Sequence, residues 1–97
     1  MPDGPQIELH GRITIENARE VRKALKSSLR GNATNLYVDL SDVPFIDTSA
    51  VATLVEGARI AREQGSRLIL KGLHDQPRHF LELTHLNRLF DEEEVAG

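Results

Sequence analysis

The residues with chemistry to offer stand in a row: Asp47, Thr48 and Ser49, one carboxylate and two hydroxyls, followed by Ala50 and Val51. Before them runs the short apolar stretch V-D-L-S-D-V-P-F-I, residues 38–46, and after them apolar residues recur at helical spacing. The trio therefore stands at a helix N-terminus, where backbone N–H groups lack intrahelical partners and the macrodipole is positive. Two kinds of chemistry suit that place. Asp, Thr and Ser cap helices by accepting those N–H groups. A hydroxyl there can also take a phosphate, whose charge the helix start tolerates and whose bulk changes what docks. On their own the three residues favour capping.

Catalysis fits less well. Ser49 as a nucleophile would need a base in reach and a turn of the G-x-S-x-G kind, but its neighbours are Thr48 and Ala50 and no histidine is near in sequence. The seven glycines are scattered, with no phosphate-cradling or dinucleotide pattern. His74, His79 and His85 are separated by five and six residues, which does not align them on one helical face, and His10 is remote. Surface histidines are expected rather than a metal site. The chain reads as a binding protein without cofactor, metal or enzyme chemistry.

The elements that must position the trio follow from the apolar periods. Residues 6–10 read as a strand with Ile7 and Leu9 on one face, broken by Gly11. Ala18, Val21, Leu25 and Leu29 predict an amphipathic helix over 16–30, with Thr14 as its N-cap and Gly31-Asn32 as its stop. Residues 36–40 form the next strand. From Ser49 to about Gln64, Val51, Leu54, Val55, Ala58 and Ala61 make an apolar stripe closed by Gly65. Residues 67–71 carry Leu68-Ile69-Leu70, a run that predicts burial on both faces. Asp75 with Pro77 opens a third helix, and 86–90 is either a last turn or a short strand. The order predicts an α/β fold with right-handed parallel crossovers and helices covering a small sheet.

The 97 residues, 39% hydrophobic and 28% charged, suit one soluble domain over 1–97, with its core at about 6–90 and an acidic, solvated tail at 91–97. Cysteine is absent and no apolar run approaches the roughly 20 residues of a membrane span, so a cytoplasmic protein without membrane insertion is expected. A net charge of −3 and 4% aromatics disfavour nucleic-acid binding. Arg19, Arg22, Lys23, Lys26 and Arg30 read as a solvated helix face with Glu16 and Glu20 as neighbours.

The stretch V-D-L-S-D-V-P-F-I-D-T-S-A-V-A-T-L-V, residues 38–55, resembles the signature of STAS domains, the family of anti-sigma factor antagonists and of the cytoplasmic tails of sulfate transporters. The likeness continues through A-R-I-A-R-E-Q-G-S-R-L-I-L-K-G-L and F-L-E-L-T-H-L-N-R-L-F, and so covers about residues 7–90. It implies a mixed or mostly parallel sheet of about four strands with helices mainly on one side. It also implies that Ser49, with Thr48 as the alternative, matches the serine phosphorylated by a partner kinase. In such relatives the unphosphorylated domain binds an anti-sigma factor, itself an ATP-binding serine kinase, and a serine phosphatase can reset the switch. The implied docking surface joins Gly11, Arg12 and Thr14 to Asp47, Thr48, Ser49, Ala50 and Val51. A second role on the same fold is an accessory subunit bound to the ATPase of a lipid-transporting ABC system. This chain departs from the pattern in three ways: Ala50 replaces a common glycine, Thr14 replaces an acid, and only five residues precede Gln6 where relatives have a further strand. The N-terminal sheet edge is then bare or covered by another chain, as in a homodimer.

Overall fold

Leu36, Val38 and Leu40 alternate with Tyr37 and Asp39, and this period of two builds the most buried strand. In the computed structural model, which describes residues 5–30 and 35–93, strands β1 (Gln6–His10), β2 (Leu36–Asp42), β3 (Leu68–Lys71) and β4 (Asp91–Glu93) lie side by side in sequence order. Every pairing is parallel. Helices α1 (Ala18–Leu29), α2 (Thr48–Glu63) and α3 (Asp75–Leu83) connect them, with a 3-10 turn at Leu86–Leu89 before β4. Right-handed crossovers that always step the same way along a sheet place their helices on one face. The small parallel sheet with one helical layer agrees with the family expectation.

The core lies between that layer and the sheet. Leu36, Val38, Leu40, Leu68 and Leu70 meet Val21, Leu25 and Leu29 of α1, Leu54, Ala58 and Ala61 of α2, and Leu81 of α3, all buried. Gly57 lets these layers approach closely: a Cβ there would stand 3.0 Å from Leu68 Cδ1 and 3.1 Å from Leu25 Cδ1. The opposite sheet face carries Gln6, Tyr37, Ile69 and Asp91 in one row and Glu8, Asp39, Lys71 and Glu93 in the next, by parallel register. Ile69 is therefore only half-buried, and the expected burial of β3 on both faces is corrected. An apolar run of three cannot by itself separate a two-sided strand from one whose odd residue shelters beside a neighbour such as Tyr37.

Other boundaries differ from expectation. The first helix starts at Ala18 rather than Glu16, and Thr14 does not cap it. Its proposed stop, Gly31-Asn32, lies outside the described residues. Arg22 and Lys26 are not purely solvated: both reach Glu56 of α2, at 3.0 and 3.6 Å. The end of α2 is closed by Gly65 at φ +82°, with Gly65 N–H donating to Arg62 O and Ser66 N–H to Ala61 O. The acidic tail is the largest correction. Asp91–Glu93 pair with Ile69, Leu70 and Lys71 as a fourth strand, because Arg67 binds Asp91, Arg78 of α3 binds Glu92, and Leu86 and Phe90 pack against the core just before it. Residues 94–97 lie outside the described residues.

Candidate docking site at the start of the second helix

The polypeptide leaves β1 and β2 at the same end of the sheet, and the two exits are zipped together. Gly11, at φ +74°, donates its N–H to Asp42 O at 3.0 Å. Ile13 N–H donates to Phe45 O at 3.0 Å, and Asp47 N–H donates to Ile13 O at 3.2 Å. This continues the sheet as a single parallel bridge between Ile13 and Ile46, whose side chains are both buried. The expected grouping of Gly11, Arg12 and Thr14 with Asp47, Thr48 and Ser49 is thus what the backbone brings about.

Asp47 joins the two exits a second time. Its backbone is extended, the geometry of a helix cap, and Oδ1 accepts the Ala50 N–H at 3.0 Å. Its other oxygen, Oδ2, accepts the Ile15 N–H at 3.0 Å across 32 residues of sequence. With Asp47 as the cap, Thr48 and Ser49 are the first two residues of α2, one position earlier than the apolar stripe predicted. Thr48 is exposed and Ser49 half-buried. Among the described residues neither hydroxyl has a hydrogen-bond partner, nor do their two N–H groups. The helix start therefore keeps two free donors and a positive dipole end beside two free hydroxyls.

Thr14 serves its own turn. Its N–H donates to Asn17 Oδ1 at 2.8 Å and its Oγ1 accepts the Glu16 N–H at 3.2 Å, while Asn17 Nδ2 donates to Arg12 O at 2.9 Å. Arg12 lies over the Phe45 ring, 4.3 Å from its centroid, a cation–π contact that ties the exits together at the surface. Ala50 and Val51 are corrected as surface contacts: both are buried in the core, since the apolar stripe of α2 begins with them. An alanine at position 50 is accordingly a core residue inside a helical turn, and the backbone there has no need of glycine.

Three participants carry no signal in the sequence. Gln76, in the first turn of α3, accepts the Ile46 N–H at 2.9 Å and donates to Ile46 O at 3.0 Å, clamping the peptide just ahead of Asp47. Phe45 supplies the ring beneath Arg12. Ile15 is 74% exposed beside the site, an apolar side chain held out by the turn that Asp47 anchors. Among the described residues no three His, Asp or Glu side chains converge on a metal position. No helix of the described residues is long and apolar enough to cross a membrane.

The family profile described as Mlab, STAS domain matches residues 2–91. The chain belongs to the STAS domain family. This STAS domain is 27% identical over 95 residues to the anti-sigma-B factor antagonist of Listeria monocytogenes, an alignment covering 98% of this chain and 83% of that protein. The protein of the same name from Listeria innocua matches equally. Among solved structures, the protein TM1081 of Thermotoga maritima superposes with a TM-score of 0.80 at 22% identity, over 94% of this chain and 80% of that one. The anti-sigma factor antagonist SpoIIAA in its unphosphorylated form gives 0.74 at 14% identity, covering 99% and 84%. The murine Solute Carrier 26 family member A9 anion transporter contains a similar unit, with a TM-score of 0.76 at 16% identity over 89% of this chain and 14% of the transporter. At these identities the structural likeness speaks to the fold of the STAS domain.

Proposed function

We propose that this STAS domain is an anti-sigma factor antagonist, a cytoplasmic binding protein whose docking is released by phosphorylation of Ser49. One observation carries the reading. Asp47 already fills the cap, so the hydroxyl of Ser49 is surplus to the fold while it stands on a surface held rigid from three sides by Asp47, Ile13 and Gln76. A phosphate there would meet the free N–H groups and dipole of α2, leaving the fold intact. It would also add about −1.5 to −2 charges beside Asp47 and demand water that a docked partner strips away. The cost then falls on the complex. The names of the relatives support an anti-sigma factor as partner; the proposal takes it to be of the ATP-binding serine kinase type, with a serine phosphatase to reverse the mark. Thr48 is the alternative acceptor.

The test begins with the protein that co-purifies from native cells, expected to be an ATP-binding serine kinase. Stoichiometrically phosphorylated protein, verified by intact mass, should bind it at least tenfold more weakly than unmodified protein. Ser49→Ala should bind normally and resist phosphorylation. Unchanged affinity after phosphorylation would overturn the switch.

A second reading changes the occupant, not the surface: the ATPase of a lipid-transporting ABC system, with the domain as a structural accessory. It is favoured by Thr14, whose hydroxyl is spent inside its own turn and offers no carboxylate to a kinase. A co-purifying transporter ATPase whose binding ignores phosphorylation would establish it. Under either reading β1 lies at the sheet edge, paired with β2 alone among the described residues. Self-association through that edge should appear in sedimentation as concentration dependence that Glu8→Pro reduces, and a strict monomer would exclude it.

A further inference from the structure

At the far end of α2, where Arg62 lies about 20 Å along the helix from Ser49, a cleft of about 260 Å³ opens between the helix, the start of β3 and the turn leading into β4. Arg62 and Arg67 line it together with Asp91, Ala58 and Leu89. The charges do not cancel. Among the described residues Asp91 is hydrogen-bonded by Arg67 only, through Nε to Oδ2 at 3.0 Å and Nη2 to Oδ1 at 2.8 Å, while Arg62 adds a weaker pull from farther off. That hydrogen bond holds its carboxyl below the usual carboxylate range, so it stays ionised at neutral pH. The fork uses one edge of the Arg67 guanidinium and leaves Nη1 with both its N–H donors. Among the described residues Arg62 has no carboxylate within salt-bridge distance, while its neighbour Glu63 is taken by Arg59. Nor is Arg62 needed to satisfy the end of α2. The carbonyls of Ile60, Ala61 and Arg62 already accept from Gln64, Gly65 and Ser66.

Two planar guanidiniums with free donors, one net positive charge and two apolar side chains describe a receptor for an oxyanion attached to hydrocarbon. We infer that this cleft binds a small organic anion, a carboxylate or phosphate monoester, gripped by Arg62 and the free edge of Arg67 with its hydrocarbon part against Ala58 and Leu89. The volume lies below the roughly 300–1,000 Å³ of sites for drug-sized ligands, which limits the occupant to a metabolite-sized molecule. The open, solvated setting of the cations makes each ion pair worth little, so binding there is weak.

The test is amide-resolved NMR titration of the full chain with inorganic phosphate, then phenyl phosphate, against sodium chloride at matched ionic strength. Saturable shifts should centre on Ser66, Arg67, Leu89 and Asp91. Phenyl phosphate should bind at least threefold more tightly than phosphate, through Ala58 and Leu89. Arg62→Gln should weaken both at least fivefold, whereas Arg59→Gln, one turn away in its pair with Glu63, should leave both unchanged. Shifts spread over the basic residues of α1, or an Arg62→Gln protein that binds as well as the parent, would overturn the site. Equal affinity for the two probes would overturn its assignment to an organic anion.

Discussion

Asp47 and Asn17 each stand immediately before a helix, and the protein uses them differently. Asp47 has an extended backbone, which aims one carboxylate oxygen at the Ala50 N–H and leaves the other for Ile15. Asn17, at φ −122° and ψ 7°, is neither extended nor helical, and its side chain turns away from the helix to close the loop behind it on Thr14 and Arg12. His74, before α3, makes no cap either: its ring bridges the Asp75 carboxylate and the Ser41 carbonyl. The helix start that carries the proposed acceptor is thus the one of the three closed by a side-chain cap, and the same carboxylate also ties it to the exit of β1. The start of α1 depends on packing, through Val21, Leu25 and Leu29, while that of α3 is tied to the end of β2 by His74 and to Ile46 by Gln76 without a side-chain cap. A residue type that favours caps does so only where the backbone presents it.

The largest effect should come from the core beneath α2, which both of its ends depend on. Leu54→Ala is expected to cost about 2–5 kcal/mol in denaturant unfolding. If the cap dominated stability instead, Asp47→Ala would rival it. The next largest losses should fall on the two clasps of the proposed docking surface. Gln76→Ala leaves the Ile46 peptide without partners and Asp47→Ala removes both a cap and the tie to Ile15, each costing about 1–3 kcal/mol. Asn17→Ala, which loosens a single turn, should cost about 0.5–1.5 kcal/mol. Equal losses at Asp47 and Asn17 would erase the distinction between the two helix starts.

The smallest effect concerns pH. Both ring nitrogens of His74 face acceptors, so the imidazolium satisfies them best, and the hydrogen bond to Asp75 raises its pKa above the ordinary histidine value. His10 is raised in the same direction by its hydrogen bond to Asp42. A raised folded pKa adds stability that is complete below the unfolded value, about pH 6.5, and is lost as pH rises through the folded one. Stability should therefore decline slightly from about pH 6.5 upward, and the decline should shrink in His74→Asn. Because both histidines are exposed, the change is a small one; stability that rose with pH over this window would contradict the pairing.

Much of this was legible in the chain itself. The period of two at Leu36, Val38 and Leu40 and the helical spacing from Val51 to Ala61 follow from how backbone geometry turns sequence intervals into faces. They place the sheet, α2 and the helix start at Asp47, Thr48 and Ser49 from sequence intervals alone. Beyond their reach lay whatever depends on residues distant in sequence. Glu92 and Asp91 read as a solvated tail because Arg78 and Arg67, which draw them into a fourth strand, are 14 and 24 residues away. Thr14 read as a cap because its type suits one, yet the turn it closes is set by Asn17 and by the Ile13–Ile46 bridge. The sequence by itself determined which residues form faces and where a helix begins, since those are local consequences of side-chain period and capping chemistry. Only the tertiary structure decided that the second oxygen of Asp47 ties Ile15 and that Gln76 holds Ile46, because each rests on a hydrogen bond whose partner is distant in sequence and brought near by the fold alone.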